Sequence, residues 1–199
     1  MKTRAIAIFV LSIAVVSTGA YIILRLNPNR SNNPTDSTIH QSFTDNKQGI
    51  SFDYSSTLKQ IELNGDDLKD NFVFRAENIY NTDPPILISV RYENGLKAAS
   101  TVTKQSKIEL VMQNLRKAYP KRFPSFEEVS SNKTEIDSKT AQEVVFTYTS
   151  NSINSKQRLL IIDKNEDTVI YVSMQSKNSD YDKLDSEIFT PITNSIKIK

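Results

Sequence analysis

The sequence predicts an α+β domain in which helices pack on an antiparallel sheet of about six to seven strands, preceded by one transmembrane helix. Two patterns carry this prediction. Residues 5–24 form an apolar stretch without a charged side chain. After it, β-like alternation, helical periodicity, renewed alternation and a second helical pattern follow along the chain, an order typical of helices packed on an antiparallel sheet.

Residues 1–25 are predicted to be a membrane anchor or a signal peptide. As a helix rising about 1.5 Å per residue, the stretch 5–24 spans roughly 30 Å, the thickness of the hydrocarbon core of a bilayer. An uncleaved anchor is favoured over cleavage near Ala20, because the apolar run continues to Leu24. The short basic arm before the stretch favours the cytoplasmic side. We therefore expect a single-pass protein with its carboxyl-terminal domain outside the cytoplasm, or a secreted domain if the segment is cleaved.

Residues 26–42 are predicted to be a flexible polar linker, and residues 43–199 to be the folded domain. The linker contains two prolines, many Asn, Ser and Thr side chains and few apolar ones, so burial cannot offset the entropy lost on ordering. The only histidine of the chain, His40, lies near the end of the linker. A single histidine without neighbouring ligands is a poor metal site, and no metal site is predicted.

Charge and cysteine content exclude several classes of function. Residues 31–199 carry 21 basic and 23 acidic side chains, a net charge of −2. Such a balance is not typical of a nucleic-acid-binding domain. The chain has no cysteine, which excludes disulfide bonds, thiolate metal sites, thiol catalysis and an acylated lipoprotein anchor.

Four β-like segments open the domain. The first begins after a turn at Gly49 and alternates apolar and polar residues, as a half-buried strand does. The second is expected to end at Asn64 and Gly65, and the fourth at Asn94 and Gly95, because both dipeptides favour tight turns. The four segments are residues 50–54, 58–63, 72–76 and 86–92.

The clearest helix covers residues 108–119, where apolar residues recur at steps of three and four. Ser106 and Glu109 fit a capping box, in which each side chain accepts a hydrogen bond from a free backbone N–H at the start of the helix. Pro120 is expected to end the helix, because proline cannot continue the hydrogen-bond ladder.

Four further β-like segments follow the helix. Residues 129–136 are polar and are expected at an edge of the sheet. The other three are expected to form an antiparallel meander with short connections. Residues 158–163 include a nearly continuous apolar run, which favours a central strand buried on both faces. The meander segments are residues 141–149, 158–163 and 168–174.

A second helical pattern closes the chain. Ser179 is expected to cap this helix, and Pro191 to kink or restart it. The residues that share its apolar face are Tyr181, Leu184, Ile188 and Phe189.

Residues 49–55, Gly-Ile-Ser-Phe-Asp-Tyr-Ser, are similar to the Gly-x-Ser-Phe-x-Tyr-Pro motif that opens domains of the PsbP-like fold family. Residues 170–174 are similar to the family's late meander, and residues 189–196 to its terminal helix. Ser55 stands where proline is usual and Leu58 where tryptophan is common, so the pattern is matched in part.

The resemblance covers roughly residues 43–198 and implies an α/β/α sandwich. The family takes its name from an extrinsic protein of photosystem II and includes many small exported proteins of unknown role. Because a fold does not imply a function, the resemblance implies no activity, and the photosystem role is not carried over.

The charged side chains form two acidic clusters and one basic cluster. The acidic clusters lie at turns and do not match the calcium-loop pattern, so we expect solvated turns there. The basic cluster lies at the end of the first helix, where it complements the helix dipole or contacts a protein partner or anionic lipid. The acidic clusters are Asp66, Asp67, Asp70 and Glu77, and Asp163, Glu166 and Asp167; the basic cluster is Lys117, Lys121 and Arg122.

These patterns predict a non-enzymatic accessory or binding module, anchored to the membrane by residues 5–24 and contacting an envelope protein complex. No catalytic or cofactor-binding residue is predicted, because the chain has no Gly-x-Ser-x-Gly elbow and no phosphate-binding glycine loop. The alternative is a small-ligand carrier or an enzyme with a pocket that sequence motifs do not reveal.

Overall fold

The computed structural model describes residues 40–78, 85–123, 125–150 and 152–199. The predicted anchor, residues 5–24, therefore lies outside the described residues, as does most of the predicted linker. Within the described ranges, no helix has the length and hydropathy needed to cross a membrane.

The described residues fold into ten strands, five α-helical segments and one π-helical turn. The strands are β1 (His40–Asp45), β2 (Ile50–Ser55), β3 (Leu58–Gln60), β4 (Phe72–Asn78), β5 (Leu87–Glu93), β6 (Glu127–Ile136), β7 (Lys139–Ser150), β8 (Ile153–Asp163), β9 (Val169–Lys177) and β10 (Lys197–Ile198). The helices are α1 (Gly65–Lys69), α2 (Leu96–Thr103), α3 (Lys107–Arg122), α4 (Tyr181–Leu184) and α5 (Thr190–Ser195), and the π-helical turn Asp185–Phe189 joins α4 to α5.

Seven antiparallel strands form the main sheet in the order β3-β4-β5-β9-β8-β7-β6, which confirms the predicted antiparallel sheet of six to seven strands. β6 lies at one edge, as predicted, and β7, β8 and β9 form the predicted meander. The early strands join the late ones where β5 pairs with β9, with Val90 opposite Val172. A smaller sheet has the order β1-β2-β10.

The two faces of the main sheet carry separate hydrophobic cores. β8 contributes to both, since Leu159 and Ile161 point to one face and Leu160 and Ile162 to the other. The prediction of a central strand buried on both faces is thus confirmed. α2 and α3 cover the first face, while the small sheet and the helical segments α4 to α5 cover the second. The domain is therefore layered as helices, sheet, and helices with a small sheet.

The predicted capping box at the start of α3 is confirmed. The Glu109 N–H donates to the Ser106 hydroxyl at 3.2 Å, and the Ser106 N–H donates to the Glu109 carboxylate at 2.8 Å. The apolar stripe of α3 packs on the first face of the main sheet, as its periodicity predicts. Its buried members are Ile108, Val111, Met112, Leu115 and Tyr119.

The prediction that Pro120 ends this helix is wrong, because α3 continues to Arg122. Proline removes one backbone donor, and at this position the loss falls in the last turn. The Phe123 N–H still donates to the Tyr119 carbonyl at 2.8 Å, which completes that turn.

Asn64 and Gly65 start a helix instead of forming a tight turn. The Asn64 side chain accepts hydrogen bonds from the N–H groups of Asp66 and Asp67 at 2.9 and 3.0 Å and so caps α1. β3 accordingly ends at Gln60, before the predicted end of this strand.

The prediction that Ser179 caps the closing helix is also wrong. Asp180 precedes α4 without a capping hydrogen bond from its side chain, and the Ser179 hydroxyl donates to the Asp180 carboxylate at 3.0 Å. The irregularity predicted at Pro191 takes the form of the π-helical turn Asp185–Phe189, which lies just before that proline.

Besides α1, three elements lie where the sequence patterns predict none. β1 begins at His40, so residues 40–42 pair with β2 instead of belonging to the linker. α2 follows Gly95 directly, and β10 pairs with the first two residues of β2. β10 has only two residues, and the start of α2 is stabilised by the distant Asp167 side chain. Neither element therefore has a local sequence pattern long enough to predict it.

Candidate functional site

The acidic cluster near β9 is engaged in contacts within the domain. Asp163 forms an ion pair with the largely buried Lys107 at 2.7 Å, and Glu166 pairs with the exposed Lys97. The Asp167 carboxylate accepts hydrogen bonds from the N–H groups of Gly95 and Lys97 at 2.9 and 3.1 Å. These hydrogen bonds lower the pKa of Asp167 and satisfy free donors at the start of α2.

The acidic cluster around α1 is also used structurally. Asp67 pairs with Arg75 at 2.7 Å and accepts a hydrogen bond from the Asn64 N–H at 3.1 Å, and Asp66 pairs with Lys69 at 3.0 Å. Asp70 ends α1, and Glu77 lies exposed on β4. Across the described ranges, no group of three or more His, Asp or Glu side chains is placed to hold a metal ion.

The basic cluster lies on the outer surface of α3 near its carboxyl end. Lys117 and Lys121 are exposed, and neither forms an ion pair with a described residue. Arg122 is exposed in the last turn, with its guanidinium carbon 5.5 Å from the centroid of the Phe123 ring. We call Lys117, Lys121 and Arg122 the α3 basic surface.

Tyr119 connects the α3 basic surface to the interior of the domain. Its buried ring contacts Phe123, Phe126 and Phe146 edge-on, at centroid distances of 5.1 to 5.7 Å. Burial raises the pKa of Tyr119 to about 12, although the positive charges of Arg91 and Arg122 oppose this shift. Two arginines, one from β5 and one from α3, therefore act on the same hydroxyl group.

Arg91 is the functional candidate that the sequence analysis missed. It lies on β5 and is 5% exposed, with its guanidinium carbon 4.0 Å from the centroid of the Tyr171 ring. The Tyr171 hydroxyl in turn donates to the Glu93 carboxylate at 2.5 Å. Within the described part of the chain, no group accepts a hydrogen bond from the buried Arg91 Nε. We call Arg91, Tyr171, Glu93, Tyr119 and Arg122 the Arg91 site.

A signal for Arg91 was present in the sequence. Residues 86–92 form a β-rich segment, and Arg91 interrupts its apolar residues near the end. An arginine within such a segment is a candidate for a buried charge, because arginine is rarely fully buried unless it is paired. Its neighbours could not be identified, since Tyr171 and Tyr119 come from distant parts of the chain.

A cleft lies on the other side of the domain. A shallow cleft of about 130 Å³ separates the small sheet from the closing helix and is lined in part by His40, Asp53, Glu187 and Ser195. Small-molecule sites usually enclose roughly 300–1,000 Å³. The cleft is therefore smaller than a usual small-molecule site.

Solved structures share the fold, including the following two. The cyanobacterial PsbP protein (CyanoP) of Synechocystis sp. PCC 6803 superposes with a TM-score of 0.60 at 13% identity, covering 87% of this chain and 100% of that one. LpqN of Mycobacterium tuberculosis, which is involved in cell envelope biogenesis, gives a TM-score of 0.56 at 11% identity, covering 81% of this chain and 91% of that one. No curated protein sequence matches the chain.

The family assignment comes from the sequence as a whole. The sequence profile of the PsbP-like proteins matches residues 3–198, which is nearly the full chain. The fold of the described residues agrees, with helices on an antiparallel seven-stranded sheet. The resemblance noted in the opening, meander and closing stretches is thus confirmed, and the chain belongs to the family of PsbP-like proteins.

Proposed function

We propose that this protein is a membrane-anchored accessory module that lies outside the cytoplasm, binds an envelope protein complex and catalyses no reaction. The observation that carries the proposal is the α3 basic surface. Lys117 and Lys121 are exposed without an ion-pair partner among the described residues, and Arg122 lies in the last turn beside them. Exposed charges of one sign steer an oppositely charged partner and fix its orientation.

The contacts of the acidic side chains support a non-catalytic role. Each of three aspartates has a structural contact: Asp163 pairs with a lysine, Asp67 pairs with an arginine, and Asp167 caps the start of a helix. A general acid or base instead needs access to a substrate and a pKa close to the working pH. The backbone hydrogen bonds at the start of α2 lower the pKa of Asp167, which moves it further from neutral pH.

The family and the apolar segment support the proposed location. The family match begins at residue 3 and so includes the apolar stretch 5–24. A structural relative, LpqN, is involved in cell envelope biogenesis. A tether raises the local concentration of a binding module near a partner in the same membrane, so a modest interface is sufficient.

The test is a crosslinking pull-down of the full-length protein from intact membranes, compared with a control that carries residues 1–41 alone. We expect a specific envelope protein that requires residues 42–199. Replacing Lys117 and Lys121 with glutamate should strongly reduce its recovery, because the charges then repel acidic groups of the partner.

The matched control variant replaces Lys47 and Lys183 with glutamate. Both lysines are exposed and lie on the opposite side of the main sheet, so recovery of the partner should be unchanged. Recovery of no specific partner while the domain is folded would contradict the proposal and favour a small ligand. Equal recovery with both double variants would exclude the α3 basic surface as the contact.

A further inference from the structure

The Arg91 site contains a buried positive charge that the domain does not neutralise directly. Other shielded cations have a carboxylate in contact: Lys107 meets Asp163 at 2.7 Å, and Arg158 meets Asp185 at 2.8 Å. Arg91 is more deeply buried than Lys107, at 5% against 9% exposed, yet it forms no ion pair with a described residue. Burial of a charge without a partner is costly, so the guanidinium group is poised to accept an anion.

The groups around Arg91 partly stabilise it and leave its Nε without a hydrogen-bond acceptor among the described residues. The Tyr171 ring supplies a cation–π contact, and Glu93 acts through the hydrogen bond from the Tyr171 hydroxyl. Neither group accepts a hydrogen bond from the Arg91 Nε. A guanidinium group has five N–H donors in a planar fork, which matches the two oxygens of a carboxylate.

The surroundings of the site favour an acidic protein segment over a lipid surface. The Nε of Arg91 is shielded from solvent and Arg91 is 5% exposed, whereas a lipid surface is bound by exposed basic side chains. Residues 31–199 carry a net charge of −2, which does not favour adsorption to an anionic bilayer. Arginine and tyrosine in a desolvated site match the composition of protein–protein hot spots.

We propose that Arg91 binds a carboxylate side chain from an acidic segment of the protein partner, with Arg122 as the second cation. This inference rests on the proposed function and names the chemical group that the partner presents. Lys117 and Lys121 attract the acidic segment, and Arg91 fixes one of its carboxylates.

The first experiment measures oxyanion binding without any partner. The full chain, with isotopically labelled arginine, is kept in neutral detergent micelles, and its arginine Nε–H resonances are followed by NMR during titration with sodium acetate. Sodium chloride at the same ionic strength is the control. We expect the Arg91 resonance, identified by its loss in Arg91→Lys, to shift saturably with acetate and not with chloride.

Two variants separate binding from folding. Arg122→Gln should weaken acetate binding by about tenfold, because the second positive charge is lost. Arg116→Gln should leave acetate binding unchanged, since Arg116 is an exposed arginine of the same helix that pairs with Glu128. Both substitutions replace exposed side chains, so a dispersed spectrum is expected for each.

The second experiment repeats the crosslinking pull-down with Arg91→Lys. This substitution retains the positive charge but removes the planar set of guanidinium N–H donors. Lost partner recovery in a folded variant supports the inference. An Arg91 resonance that does not respond to acetate would overturn the inference. Full recovery of the partner by folded Arg91→Lys would also overturn the inference, but it would leave the proposed function intact. A shift produced by vesicles of anionic phospholipid, together with no recovered partner, would overturn both proposals in favour of a lipid headgroup.

Discussion

Gly49 lies in the turn between β1 and β2 and has a backbone conformation that favours glycine. Its φ is +59°, and a Cβ at this position would lie 3.0 Å from the Lys199 carbonyl oxygen. The Lys199 N–H donates to the Gly49 carbonyl at 2.8 Å, so the two backbones are held together. The turn expected at Gly49 is thus present, and its close approach to Lys199 leaves little space for a side chain.

We expect Gly49→Ala to lower the free energy of unfolding by about 1–2 kcal/mol, because a left-handed backbone and a tight contact act together. Gly65→Ala is the matched control. Gly65 lies in the first turn of α1 with no atom within 4 Å of the added Cβ, so stability should stay unchanged or rise by up to about 1 kcal/mol. Denaturant unfolding followed by circular dichroism measures both. Equal effects of the two substitutions would contradict this account of Gly49.

Asp167 stabilises the start of α2 from a distant position in the sequence. At neutral pH, Asp167→Ala should lower the free energy of unfolding by about 1 kcal/mol, the usual effect of losing a helix-capping oxygen. Glu166→Gln removes an exposed ion pair with Lys97 and should have a smaller effect. Denaturant titrations compare the variants. The Asp167 account fails if Glu166→Gln is the more harmful change.

The same carboxylate gives stability a defined dependence on pH. Hydrogen bonds from Gly95 and Lys97 lower the pKa of Asp167 in the folded state. A carboxyl group with a lowered folded pKa stabilises the fold above its unfolded pKa of about 4, and this stabilisation is lost as the pH falls through the folded pKa. The difference in unfolding free energy between wild type and Asp167→Ala should therefore shrink below about pH 4. A constant difference would contradict the prediction.

At the scale of elements, the π-helical turn Asp185–Phe189 aligns the closing helix with the sheet. Tyr181 and Phe189 are eight positions apart, which in an α-helix of 3.6 residues per turn would separate their directions by about 80°. The wider π-helical turn takes up this rotation, and the two rings meet at 5.7 Å in the same core. Pro191, just beyond the turn, cannot donate the hydrogen bond that a regular helix would require.

Arg158 fixes this closing helix to β8. Its guanidinium group donates to Asp185 at 2.8 Å and to the Thr190 hydroxyl at 3.2 Å, and it lies 3.4 Å from Glu143. Arg158→Ala should lower the free energy of unfolding by about 3 kcal/mol, because Asp185 and Glu143 then lose their shared cation in a shielded position. Thermal or denaturant unfolding of the full-length protein measures the change.

Lys156 provides the control on the same strand. It pairs with Asp182, whose side chain is 90% exposed, so Lys156→Ala should cost about 1 kcal/mol or less. If the two alanine variants are equally stable, the shielded ion-pair group does not hold the closing helix on the sheet.

At the scale of the whole molecule, the main prediction concerns topology. We propose that residues 5–24 are an anchor, and an anchor with its amino terminus in the cytoplasm would place residues 43–199 outside the cytoplasm. Protease added to the outer side of intact cytoplasmic membranes should therefore digest the domain, and deletion of residues 1–25 should leave the chain in the cytoplasm and protected. A cytoplasmic marker protein controls for leakage. Protection of the domain in the wild type would contradict this topology.

The sequence by itself determined the order of most strands and of the two long helical patterns. The alternation in β2, the continuous apolar run in β8 and the capping box of Ser106 and Glu109 each depend on neighbours a few positions apart. Local spacing sets which face of a strand or helix a side chain occupies, so these features could be predicted. The basic cluster of Lys117, Lys121 and Arg122 was visible for the same reason.

Only the tertiary structure decided which distant groups meet. Asp167 caps a helix that starts more than seventy residues earlier, and β10 pairs with β2. Arg91 contacts the Tyr171 ring because β5 pairs with β9, and α3 packs on the same face of the sheet. Strand register and helix packing are set by the fit of the whole core, and periodicity within one element does not specify them. The Arg91 site as a group of distant residues could therefore not be predicted from the sequence, although a signal for Arg91 itself and the basic cluster at the end of α3 were present in it.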